Sequence, residues 1–180
     1  HPDRFFDLGV AEQNMIGTAA GLALGGKIPF ASTFAIFASG RCFDQLRMSI
    51  AQPGLNVKVI GSHGGCTVGE DGGSHHAIED LALMTALPGF TVIVPADEVE
   101  TAQVVEAAAN TYGPFYIRGG RPKAAIVYDE NYKFQIGKAF LMKTGNDVTV
   151  IANGSMLAPA LEAADLLVAS GIDCRVLSMP

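Results

Sequence analysis

Three of the four histidines crowd into one short stretch. His63, His75 and His76 lie within residues 62–76, together with Glu70, Asp71 and five glycines. Imidazoles titrate near neutral pH, so with neighbouring carboxylates they can do general acid–base work. Glycines let the backbone approach a ligand closely. The same composition also suits a solvated polar loop. His and carboxylate could also hold a metal, although the spacing matches no common zinc pattern. Glu12 is the next candidate, the only charge between Asp7 and Lys27 and placed where an apolar helical pattern starts. There a carboxylate either complements the helix N-terminus or sits in a dry site. In the dry site desolvation would raise its pKa and let it share a proton with a ligand nitrogen. Phe34 and Phe37 read either as core or as a stacking wall for a flat heterocycle. Arg118, before Gly119-Gly120, reads as a surface charge or as a clamp on a phosphate.

These side chains need elements to hold them. Short apolar runs alternate with helical patterns. Residues 5–8 read as a short extended stretch. Residues 11–24 read as a helix, almost uncharged after Glu12, with Gly17, Ala20 and Gly21 on its faces. Such a helix is expected to be buried all round or to pack on a partner subunit. A strand is expected at 28–31, a helix over 37–51 and a strand at 56–60, before the glycine-rich loop. A helix over 77–86 and a strand at 91–94 follow. Asp97 caps a helix running to Asn110, with Glu100 completing a capping box, and a strand occupies 115–118. The loop thus leaves a strand at the carboxyl end of a parallel sheet, where ligands bind in such folds. Residues 121–146 read as a linker with a hairpin or edge strand. The alternation then restarts with strand 148–152, helix 157–170 and strand 174–177. This order predicts an α/β fold of parallel sheets with helices on both faces and a domain boundary near 128–137.

Composition excludes several classes. The chain has 180 residues, 49% hydrophobic and only 17% charged, against a typical charged share of about 25%. A disordered chain needs the opposite balance. Twelve basic against 18 acidic residues give a net charge of −6, which argues against a general nucleic-acid binder. Cys42, Cys66 and Cys174 are too sparse for a disulfide framework or a zinc site, and a reducing cytoplasm is the simplest reading. No uncharged stretch is long enough for a membrane span. There is no leader-like start and no initiator Met, and both ends read as cut from a longer polypeptide.

Taken in order, several stretches resemble the transketolase family, specifically the carboxyl-terminal subunit of transketolases split into two chains. They are Arg4-Phe5-Phe6-Asp7-Leu8-Gly9-Val10-Ala11-Glu12-Gln13-Asn14-Met15, Ser32-Thr33-Phe34-Ala35-Ile36-Phe37 and Gly69-Glu70-Asp71-Gly72-Gly73-Ser74-His75. Ile117-Arg118 and Asp147-Val148-Thr149-Val150-Ile151-Ala152-Asn153-Gly154-Ser155 continue the series. The resemblance covers essentially the whole chain. It implies a three-layer parallel sheet of the thiamine-diphosphate pyrimidine-binding type over residues 1–128. A linker over 129–146 and the beginning of a second α/β domain over 147–180 complete the expected organisation.

The resemblance also implies roles. Glu12 matches the glutamate that hydrogen-bonds the aminopyrimidine of thiamine diphosphate and promotes its imino tautomer. Phe37 matches the aromatic that stacks on the pyrimidine, and Phe34 lines the same pocket. His75 matches a histidine near the cofactor and the substrate oxygens. Asp71 matches an aspartate on the donor sugar's hydroxyl, and His63 and Arg118 match residues that bind substrate phosphate. The implied activity is transfer of a two-carbon ketol unit between a ketose phosphate and an aldose phosphate. Departures accompany the match: Gly40 stands where a third aromatic is often found, and His76 where a glutamine is usual. The Gly-Asp-Gly…Asn motif that carries the diphosphate and Mg2+ is not in the sequence. The resemblance therefore implies an amino-terminal partner subunit for that half of the site and a dimer of two-chain units. No metal ligands are assigned to this chain. The rival readings are a 1-deoxyxylulose-5-phosphate synthase, a 2-oxoacid dehydrogenase β subunit and a non-catalytic scaffold subunit.

Overall fold

The structure is a computed structural model that describes residues 1–180. Its helices are α1 (Glu12–Leu24), α2 (Phe43–Gln45), α3 (Asp80–Thr85), α4 (Glu98–Asn110) and α5 (Leu157–Ala169). Its strands are β1 (Phe30–Phe34), β2 (Lys58–Ser62), β3 (Thr91–Ile93), β4 (Phe115–Arg118), β5 (Phe140–Lys143), β6 (Val148–Ala152) and β7 (Cys174–Ser178). Two π-helical turns, Phe37–Arg41 and Leu46–Ala51, flank α2. The chain forms two compact units, His1–Val92 with Tyr112–Arg121, and Ile93–Thr111 with Pro122–Pro180. The fold is mixed α/β, as the sequence pattern predicts.

In the first unit the strand order is β1-β2-β4-β3, and the β1–β2 and β2–β4 pairs run parallel. The register sets Phe34 opposite Ser62 and Gly61 opposite Arg118. The last residues of three strands therefore line one edge of the sheet. β1 starts only after Pro29, whose ring nitrogen has no hydrogen to donate but whose carbonyl accepts from Lys58 N at 2.9 Å. Ile16, Leu46, Ile50, Val57, Val59 and Met84 form the core beneath the sheet.

Residues 5–8 follow a 3-10 turn at Pro2–Arg4, with Phe5 extended as expected, and join no sheet. Of the two alternatives for α1, burial all round does not hold. Glu12, Ile16, Ala19 and Ala20 face inward, whereas Asn14, Gly17, Gly21 and Leu24 stay exposed, a one-sided pattern at helical spacing. α3 begins at Asp80 because Ala77 is drawn into bridges with Gly64 and Gly65, which close the base of the glycine-rich loop.

In the second unit β7 lies between β5 and β6, parallel to β6 and antiparallel to β5. α5 packs on it through Leu157, Ala160 and Ala164, with Tyr128 and Tyr132 in the same core. Asp97 caps α4 by accepting from Glu100 N at 2.9 Å. The Glu100 carboxylate reaches one residue further back than a capping box predicts, to Ala96 N at 2.8 Å. Grouping of α4 with the carboxyl-terminal residues is not visible in the sequence order. Its source is side-chain bonding: Gln103 holds Tyr132 O and Phe134 N, and Asp97 Oδ2 accepts from Val127 N and Tyr128 N.

Candidate cofactor and substrate site

Glu12 opens α1 and is 7% exposed. No side chain caps this helix, so a carboxylate in its first turn also meets the positive end of the helix dipole. The one ion partner is Arg41, whose Nη1 donates to Glu12 Oε2 at 2.8 Å. Burial pushes the Glu12 carboxyl up. The hydrogen bond from Arg41, a backbone N–H and the guanidinium charge outweigh burial, so its pKa lies below the ordinary value. Of the two alternatives for Glu12, the raised pKa of a dry site does not hold: desolvation is present, but the Arg41 counter-ion helps to outweigh it.

Phe34 ends β1 and Phe37 opens the first π-helical turn. Their rings are parallel within 3°, with centroids 5.8 Å apart. His63 stacks on Phe34 at 3.8 Å. It adopts φ +58°, a left-handed conformation that a non-glycine residue holds only where its surroundings enforce it. His75 sets its ring edge-on to Phe34 and Phe37, at 6.0 and 5.2 Å. In both histidines Nδ1 is taken by the preceding serine, Ser62 at 3.0 Å and Ser74 at 2.9 Å. Their Nε2 atoms are the nitrogens left to meet a ligand. Glu12, Phe34, Phe37, His63 and His75 thus form one connected group with Arg41.

Arg118 is more committed than the sequence implies. Its Nε donates to Asp80 Oδ2 at 2.9 Å and its Nη2 to Ala77 O at 3.2 Å. Asp80 is 1% exposed and also accepts from the Tyr116 hydroxyl at 2.9 Å. Tyr116 and Arg118 are two residues apart on one strand and so share a face. Gly61 and Gly64 are required opposite them. A Cβ at Gly61 would collide with the Tyr116 hydroxyl, and one at Gly64 with the Arg118 guanidinium. Asp71, an exposed residue, pairs instead with Arg121 Nη1 at 2.8 Å, and Arg121 also donates to Val68 O. His76 is half-buried beside this loop.

Sequence reasoning missed Arg41, Asp80 and Arg121. For Arg41 a signal existed: a lone carboxylate in an apolar helix needs a counter-ion once buried. Nothing in the sequence says which residue supplies it. No three His, Cys, Asp or Glu side chains are placed to hold a metal ion, and no helix is long and apolar enough to cross a membrane.

Stacked aromatics, imidazoles, a buried carboxylate and guanidinium groups define an α/β protein with a candidate ligand site at the carboxyl edge of parallel strands. Sequence similarity narrows the class. The transketolase pyrimidine-binding domain family matches residues 1–125, and the transketolase C-terminal domain family matches residues 137–180. The chain belongs to the transketolase family. It is 46% identical over 178 residues to the 6-deoxy-6-sulfo-D-fructose transketolase subunit SqwH of a Clostridium strain, covering 99% of this chain and 55% of that protein. It is 47% identical over 180 residues to human transketolase, covering 98% of this chain and 29% of the human protein. Among solved structures, one described as a split gene transketolase, inactive beta4 tetramer, aligns with TM-score 0.92 at 52% identity, covering 99% of this chain and 57% of that one. The chain therefore spans about half, or less, of the length of these relatives.

Proposed function

We propose that this chain forms the pyrimidine-binding side of a thiamine-diphosphate-dependent transketolase. The enzyme would transfer a two-carbon ketol unit between a ketose phosphate and an aldose phosphate. The observation that carries this reading is the buried Glu12 carboxylate grouped with the parallel Phe34 and Phe37 rings in a transketolase-family chain. That donor set fits an aminopyrimidine, which needs a carboxyl group at a ring nitrogen and an apolar face to stack on. When bound, the cofactor supplies the nucleophilic carbon and the electron sink for carbon–carbon cleavage. Glu12 holds the pyrimidine ring nitrogen and exchanges a proton with it. Phe37 stacks on the ring and Phe34 walls the pocket. His75 turns its Nε2 to the cofactor and the substrate oxygens.

His63 and Asp71 bind the sugar, and Arg118 offers its remaining Nη1 to the phosphate. Arg121, 43% exposed, joins Arg118 as a more accessible cation. Diphosphate and Mg2+ are held by an amino-terminal partner subunit, in a dimer of two-chain units. The pyrimidine-binding part runs to about Tyr128, with a linker over 129–146 and part of the carboxyl-terminal domain after it. The two family matches, ending at 125 and starting at 137, support that division. The enzyme works in the cytoplasm, in pentose phosphate interconversion.

The test is a transfer assay on the chain combined with the diphosphate-binding subunit. Xylulose 5-phosphate with ribose 5-phosphate is compared with pyruvate plus glyceraldehyde 3-phosphate. A sulfonated ketose belongs in the panel, because the Clostridium relative is named for one and a sulfonate offers arginine similar anionic oxygens. Ketol transfer is the expected result. Turnover of the pyruvate pair alone would assign a 1-deoxyxylulose-5-phosphate synthase. No turnover and no cofactor binding would leave the scaffold reading.

A further inference from the structure

The Arg41 guanidinium makes two contacts at once. Nη1 donates to Glu12 Oε2 at 2.8 Å, and its central carbon lies 4.3 Å from the Phe37 ring centroid. A planar group that donates an N–H to Glu12 while lying over Phe37 uses the two features that a flat nitrogen heterocycle would use. We propose that Arg41 is a built-in occupant of the heterocycle subsite, a latch that must swing away before an aminopyrimidine can bind. The inference rests on the cofactor reading above.

The local fold explains the placement. Arg41 closes the π-helical turn that Phe37 opens. Residues four apart lie on the same face of a helical turn, which sets the guanidinium over the ring. Gln13 Nε2, from the first turn of α1, donates to Arg41 O at 2.9 Å. The backbones carrying Glu12 and Arg41 are therefore tied together through the Gln13 side chain. The Arg41 side chain is 45% exposed, against 7% for Glu12, so the guanidinium is the group that can move into solvent. Cys42 is buried next to the pair. Burial, with the Glu12 charge, pushes its thiol up to about 11, so it stays neutral and offers Glu12 no competing charge.

While latched, Glu12 is held as a carboxylate by arginine together with a backbone N–H. Release leaves a buried carboxylate that either takes up a proton or gains the ring nitrogen as its new partner. Arg41 is thus a positioning residue, acting on the cofactor through Glu12.

The experiment is calorimetric titration of thiamine diphosphate with Mg2+ into the chain combined with its diphosphate-binding subunit. Wild type, Arg41→Ala and Arg41→Lys are compared. Removing a half-exposed ion pair and a cation–π contact should tighten binding by about tenfold in Arg41→Ala. Arg41→Lys should fall between, because an ammonium still pairs with Glu12 but cannot lie as a planar donor over the ring. Without cofactor, the Glu12 carboxyl, followed by carbon NMR, should titrate at higher pH in Arg41→Ala and return toward wild type in Arg41→Lys. A purely structural arginine would not give that pattern. Unchanged or weaker cofactor binding by folded Arg41→Ala overturns the latch and makes Arg41 a support for Glu12. If Arg41→Ala does not fold, Arg41→Lys decides, and binding no tighter than wild type overturns the proposal. A wild-type complex that binds no cofactor refutes the functional reading itself, and the latch falls with it.

Discussion

At the scale of single residues, the site is organised by pairing each buried charge with a named counter-charge. Glu12 depends on Arg41, and Asp80 on Arg118 with Tyr116. Two predictions follow from what each pair does. In the complex with its partner, Glu12→Gln keeps the shape of the side chain but removes the exchangeable proton. Turnover should drop at least about a hundredfold, the scale of positioned proton transfer, and steady-state assays with cofactor at saturation would read it. Near wild-type turnover would refute the role given to Glu12. Asp80→Asn keeps an acceptor for Tyr116 but leaves Arg118 facing a neutral group. A lost charge-assisted hydrogen bond at a buried site should lower stability by about 1–3 kcal/mol, measured by urea unfolding. If the loss is negligible, Arg118 is not anchored as described.

At the scale of elements, α4 carries a buried acid that makes pH a probe of its anchoring. Burial pushes the Glu100 carboxyl up, only partly offset by hydrogen bonds from Tyr132 and Ala96 N. A carboxyl with a raised folded-state pKa binds its proton more tightly when folded. Its contribution is complete below the unfolded value of about 4.3 and declines as pH climbs through the folded value. Glu100→Gln removes that decline. Its melting temperature relative to wild type should therefore rise between pH 4 and pH 8. A constant difference would mean that Glu100 is not held as a buried acid. The N-cap behind this arrangement was legible in the sequence, because Asp97 with Glu100 three residues on is a local pattern. So were the parallel direction of β1, β2 and β4 and the loop at their carboxyl edge, because apolar alternation and glycine content are local too; which strand lies beside which was not. The π-helical turns were not legible, since periodicity over 37–51 reads as ordinary helix. Nor was the late start of α3, which depends on Ala77 bonding across the loop to Gly65. Arg41 and Asp80 stayed hidden because a counter-ion's identity is decided by tertiary placement. Asp71 was visible as a loop carboxylate, whereas its partner Arg121, fifty residues away, was not.

At the scale of the whole molecule, the chain keeps a large apolar surface in solvent. Phe5, Phe6, Ile28 and Phe30 are all exposed and line one groove of about 920 Å3. The outer face of α1, with Gly17, Gly21 and Leu24, is uncovered too. Exposed apolar surface of this kind marks an interaction site, and with only 17% charged residues the chain has few charges to keep it apart from copies of itself. On the proposed reading that surface meets the diphosphate-binding subunit. Without it, the chain should self-associate and catalyse nothing, because half the cofactor site is elsewhere. Light scattering on the isolated chain should give a mass above the 18.8 kDa of one copy. Ketol transfer should appear only on adding the partner, rising to saturation at equal stoichiometry. A monomer that stays soluble and transfers ketol units unaided would overturn the split-site account at once, since one chain would then hold both ends of the cofactor. A self-associated chain that stays silent even with its partner would separate the two claims, keeping the sticky surface while removing the shared active site.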